Sequence, residues 1–78
     1  MRLKEKDPRL AFGRAVRAAR MVAGLSQEKL AQLAGIHRTY IGDVERGVRN
    51  ISLVNMTRIA AALDLPLSRL IMEIEKDR

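Results

Sequence analysis

Apolar positions recur at helical spacing along almost the whole chain, and no segment alternates with period two. Phe12, Ala15, Val16, Ala19 and Val22 repeat every three or four residues, predicting a first helix that opens at Asp7-Pro8 and closes near Gly24. Asp suits the N-cap because its carboxylate accepts from a free first-turn amide. Proline suits the next position because an N–H there would have no partner to lose. Ser26 caps a second helix, Gln27 to Ala34, with Leu30, Leu33 and Ala34 inward and Gly35 as its stop. A third runs from His37 or Arg38 to about Arg46, turns Ile41 and Val44 inward, and stops at Gly47. Beyond a connector from Val48 to Ile51, Ser52 caps a fourth, whose Leu53, Met56, Ile59, Ala60 and Leu63 share one face. Asp64, which tolerates a left-handed backbone better than most residues, ends it. After Pro66, Ser68 caps a fifth helix reaching about Lys76. The pattern predicts an all-α domain over residues 8–76, behind a flexible basic segment at residues 1–7.

One stretch carries more than helix periodicity. Counted from Gln27, the fifth residue is Ala31, the ninth Gly35, the tenth Ile36, the fifteenth Ile41 and the eighteenth Val44. Two helices crossing at ~90–120° over a tight turn require this order. A methyl fits where they approach most closely, glycine turns sharply without strain, and three aliphatics fill the angle between them. The second helix of the pair keeps a polar outer face.

Composition narrows the chemistry. Seventy-eight residues make one small domain, and the 47% hydrophobic fraction suffices for a single core. With no cysteine and one histidine, the chain offers no disulfide, no thiol nucleophile and no cluster at metal-ligand spacing. No Gly-rich phosphate loop or nucleophile–base set is present, so enzyme readings do poorly and no cofactor is expected. No apolar run approaches the ~20 residues that span a bilayer, and the basic start lacks the apolar stretch of a signal peptide. The sequence reads as soluble and cytoplasmic. Net charge is +6, and it is uneven: residues 1–20 hold seven Lys/Arg against two acids, whereas residues 51–78 balance at four each. One basic end suits a polyanion, either a nucleic acid or an anionic membrane surface.

The string Gly24-Leu25-Ser26-Gln27-Glu28-Lys29-Leu30-Ala31, then Gly35-Ile36, Glu45-Arg46-Gly47 and Ile59-Ala60-Ala61-Ala62-Leu63, resembles the Cro/CI (xenobiotic-response-element-type) helix-turn-helix family of bacterial and phage repressors. The likeness covers roughly residues 9 to 74. Within that family, His37-Arg38-Thr39-Tyr40-Ile41-Gly42 and Glu45-Arg46-Gly47-Val48-Arg49-Asn50 are similar to the controller proteins of restriction–modification systems. The sequence departs at Ile51, where the family often has Pro, and at Asp64, where it often has Gly. The resemblance implies a five-helix lambda-repressor-like domain whose helices 2 and 3 form the helix-turn-helix. It also implies double-stranded DNA as partner, a homodimer, and RNA polymerase as a further candidate partner. An antitoxin role on the same fold is the alternative, and a non-DNA adaptor a third reading.

In this class Arg38, Thr39 and Tyr40 stand where the reading helix enters the major groove. Arg38 can donate two hydrogen bonds to guanine, Thr39 can meet a phosphate or a thymine methyl, and Tyr40 can reach a phosphate. Asp43, one turn on, either accepts from cytosine or pairs with an arginine. Gln27 opens the second helix, where free amides attract phosphate oxygens. Arg46 follows at the end of the reading helix, and the resemblance sets Arg49 and Asn50 beside the DNA backbone. It pairs Arg20 with Glu45 as a structural ion pair. On the last helix Leu67, Leu70, Ile71 and Ile74 form a stripe; Leu67 and Leu70 are expected to close the core. Leu70, Ile71 and Ile74 are the candidate dimer interface, with a monomer as the competing reading.

Overall fold

In the computed structural model the described residues are 7–76, so the expected flexible segment lies, apart from Asp7, outside them. Five helices follow in order: α1 Pro8–Val22, α2 Gln27–Ala34, α3 Arg38–Arg46, α4 Leu53–Ala62 and α5 Leu67–Lys76. No strand occurs among the described residues.

Local chemistry sets the boundaries. Asp7 caps α1, accepting from the Arg9 amide at 2.9 Å and pairing with the Arg9 guanidinium at 2.6 Å. The Arg9 side chain, then its amide, hold the Asp7 carboxyl below the usual carboxylate range. Ser26 and Ser52 accept from Lys29 and Asn55, one turn into α2 and α4. Gly35 and Gly47 end α2 and α3 at φ 70° and 74°, and Asp64 follows α4 at φ 59°. Ser68 does not cap α5. It lies inside the first turn, because Pro66 already offers its carbonyl to the Arg69 amide at 3.0 Å.

α1 packs across α3 and α5, α2 against α3 and α4, and α4 against α5. Phe12, Val16, Leu30, Ile41, Val44, Ile59 and Leu70 meet in the centre, each at most 2% exposed. Burying a side chain of this size stabilises the fold by roughly 1.5–3 kcal/mol. Ala31 on α2 and Ala60 on α4 are buried in the same core. α1 crosses α3 closely at Gly13, where a Cβ would strike the Val44 carbonyl oxygen and come within 2.9 Å of that of Glu45. A glycine in mid-helix costs about 1 kcal/mol against alanine, so close approach of α1 to α3 is what requires it here.

Three expected core positions are exposed instead: Val22, Leu33 and Leu53, at 90%, 52% and 65%. Val22 and Leu53 are the last residue of α1 and the first of α4, and Leu33 faces away from the α2–α3 angle that Leu30 and Ala34 fill. On α5, Leu70 is 2% exposed and belongs to the core, so it has almost no surface to offer a partner. Leu67, Ile71 and Ile74 are half-buried at its edge, with Met72 exposed beside them.

Candidate nucleic-acid interface

The orientation of α3 is fixed by a polar network at its far end. Glu45, in its last turn, has a side chain only 4% exposed. Its carboxylate accepts from Arg20 Nε at 2.6 Å, Arg20 Nη2 at 3.0 Å and Gln27 Nε2 at 3.0 Å. Arg20 also donates from Nη1 to the Leu25 carbonyl at 2.8 Å, tying the loop before α2 into the same group. Hydrogen bonding to Glu45 raises the Arg20 pKa above its ordinary value, against the opposing effect of burial. One carboxylate thus joins α1, α2 and α3. No buried side-chain nitrogen or oxygen among the described residues lacks a partner. The expected Arg20–Glu45 pair is present, and Gln27 joins it with its amide turned inward instead of standing free.

With that end locked, the opposite end of α3 faces outward. His37 occupies the N-cap position without a side-chain cap bond, and Arg38 and Thr39 of the first turn are exposed. Tyr40 is half-buried, with the Arg49 guanidinium 4.4 Å from its ring centre. Asp43 lies one turn along the same face and accepts from Arg46 and, at 3.0 Å, from Arg49 Nη2. Of its two sequence-level alternatives, the structure has the arginine pairing. Asn50 is exposed on the connector beside Arg49.

Arg38, Thr39, Tyr40, Asp43, Arg46 and Arg49 therefore form one polar surface on α3 and the connector. Gln27 sits behind it, lining a recess of about 320 Å³ with Arg17, Arg20, Gly42, Glu45 and Arg46. Arg17, exposed on α1, was not singled out by sequence as a member of this surface. Its helical offset of three from Arg20 was the available signal. Arg17 and Arg46, which line this recess beside Gln27 at the start of α2, suit a phosphate oxygen. Among the described residues no group of acids and histidine could hold a metal ion, and no helix is long and apolar enough to cross a membrane.

The architecture and this surface define a helix-turn-helix protein, and the chain belongs to the helix-turn-helix family, whose model matches residues 16–70. Its relatives narrow the class to DNA-binding regulators of the restriction–modification controller type, which are not enzymes. The control protein C.BamHI of Bacillus amyloliquefaciens is 54% identical over 56 residues, covering 70% of this chain and 69% of that one. Control protein C.MunI of a Mycoplasma species is 40% identical over 72 residues, or 91% and 97% of the two chains. Among solved structures, the restriction-modification controller protein C.AhdI from Aeromonas hydrophila superposes with a TM-score of 0.79 at 50% identity. That superposition covers 80% of this chain and 94% of that one.

Proposed function

We propose that this chain is a cytoplasmic transcriptional controller that binds a palindromic operator as a homodimer and regulates its own restriction–modification operon. The observation that carries the reading is the exposed first turn of α3, with Arg38 and Thr39 outward while the half-buried Arg20–Glu45–Gln27 network sets the helix angle. An arginine so placed can donate both arms of its fork to guanine O6 and N7, which gives base discrimination. Relatives named as control proteins support the regulatory role.

Dimerisation is supported by α5. Ile71 and Ile74 are only partly covered, and Met72 is 52% exposed, leaving an aliphatic strip that one copy cannot bury alone. A two-fold axis makes such a strip self-complementary and would set two copies of α3 about one DNA turn, ~34 Å, apart.

Salt titration on a palindromic duplex chosen by the wild-type chain from a randomised pool tests the reading, with sedimentation beside it. A dimer neutralising roughly 6–10 phosphates gives a log–log slope of about −5 to −9. The variant Ile71→Glu/Ile74→Glu sediments as a monomer, and its slope drops to about half. A wild-type slope shallower than about −2 would remove the duplex-DNA reading. A double variant that still sediments as a dimer would move the interface elsewhere.

A further inference from the structure

Asp43 is an acid in the middle of a surface otherwise built to meet phosphates. Its backbone and side chain both act on the connector. After Gly47 turns at φ 74°, the Val48 amide donates back to the Asp43 carbonyl at 3.1 Å, so the connector folds back toward the outer face of α3. That reversal brings Arg49 over the ring of Tyr40 and onto Asp43 Oδ2, while Arg46 occupies Oδ1. Both carboxylate oxygens are engaged, and the Asp43 side chain is 18% exposed against 65% and 42% for the arginines. A contact from Asp43 to cytosine would require giving up one of these partners, and phosphates on either side repel it.

We infer that Asp43 is a positioning residue and not a DNA contact: it clamps Arg46 and Arg49 together, with Arg49 seated over Tyr40, withholding both from indiscriminate phosphate binding and presenting them as one preset surface to the selected site. This rests on the duplex-DNA reading above. Two effects follow. Without the carboxylate, each subunit gains one net positive charge and two arginines free to chase any phosphate, so random duplex binds more tightly. The same freedom must be given up on the selected site, and Arg49 no longer has a fixed seat on Tyr40, so discrimination falls.

The test compares wild type with Asp43→Asn, which keeps the side chain's size and removes its charge. The probes are the duplex that wild type selects from a randomised pool and a random-sequence duplex of equal length. For Asp43→Asn, affinity for the random duplex should rise about five- to ten-fold per subunit near 0.1 M salt. The salt slope should steepen by about 1 per subunit. The ratio of selected to random affinity should drop about ten-fold. A misfolded variant would weaken on both probes, so the rise on random duplex cannot come from damage to the fold. Loss on both probes by a variant whose circular dichroism and urea midpoint match wild type, or an unchanged ratio, overturns the inference and leaves the DNA reading standing. If Asp43→Asn, put through the same selection, changed its preferred base at one position with an unaltered salt slope, Asp43 would be a direct reader and the inference would fail. If wild type selects no sequence at all, the DNA reading falls and this inference with it.

Discussion

Removing Arg20 should cost this protein a large share of its stability, more than removing the glutamate it faces. In Arg20→Ala, Glu45 loses the donors at 2.6 and 3.0 Å and keeps a single neutral amide, that of Gln27, on a side chain 4% exposed. Breaking a buried pair from one side costs about 3–5 kcal/mol, because the remaining charge stays out of water. Arg20 is itself 13% exposed, so water can follow the deleted side chain inward, and the lower end, about 3 kcal/mol, applies. A domain of 78 residues has a total stability of roughly 4–12 kcal/mol, so the loss takes between a quarter and three quarters of it. At about 4–8 °C per kcal/mol, the melting temperature falls by ~12–24 °C. In Glu45→Ala, Arg20 keeps the Leu25 carbonyl and a route to solvent, and the cost is about 2 kcal/mol. Urea unfolding followed by far-ultraviolet circular dichroism measures both, with an unchanged m-value confirming that only stability moved. If Arg20→Ala unfolded within about 1 kcal/mol of wild type, or Glu45→Ala proved the costlier, the idea that one carboxylate locks three helices would be wrong.

Gly13→Ala, a replacement that gains up to about 1 kcal/mol in an ordinary helix interior, should here cost about 2–3 kcal/mol in the same urea assay. The added methyl meets backbone oxygens of α3, which have no rotamer to escape by; a gain in stability would show the α1–α3 crossing to be looser than described. A second expectation concerns pH. The folded Asp7 carboxyl titrates below its unfolded value, so its capping contribution is complete above about pH 4–5 and fades as the pH falls through the folded pKa. Protection of the Arg9 and Leu10 amides, both tied to Asp7, should fall over that acid range once exchange is taken relative to its intrinsic rate at each pH, and pH-independent protection there would refute the cap's ionised role.

Most of the architecture was legible because helix ends are written in local chemistry. Asp7, Ser26, Ser52, Gly35 and Gly47 each solve a problem confined to three or four neighbouring residues, so each could be read in place. The spacing of Ala31, Gly35, Ile36, Ile41 and Val44 worked for a related reason: one tight turn joins the two helices, and short separation makes their contact a property of the string. Exposure was harder. Val22, Leu33 and Leu53 have the right period, but a stripe on a helix is wider than the neighbour that covers it in so small a domain. Ser68 had the composition of a cap, and Pro66 had already begun the turn. At the site, the exposed start of α3 followed from the motif. The inward turn of Gln27, the choice of two arginines over cytosine as partners of Asp43, and the stacking of Arg49 on Tyr40 did not. They depend on where the connector returns after Gly47 and on how far α2 stands from Glu45, distances that no periodicity encodes. Gly13 did leave a trace, an isolated glycine inside a strong helical pattern, whose explanation lay across the fold at Val44.

The central claim, that the first turn of α3 reads bases, is tested most directly through Arg38. Wild type and Arg38→Ala should each be titrated against the duplex that wild type selects and against a random duplex, and each should then be put through selection. Arg38 is exposed and outside the Glu45 network, so its removal leaves the fold intact. On the selected duplex the variant should lose about 1–3 kcal/mol per half-site, while affinity for random duplex falls only several-fold, as for any one lost cation. Its own selected sequence should be relaxed at one position in each half-site. Selection of the wild-type sequence by Arg38→Ala, with the same discrimination at every position, would contradict the account and place base reading on another part of the molecule.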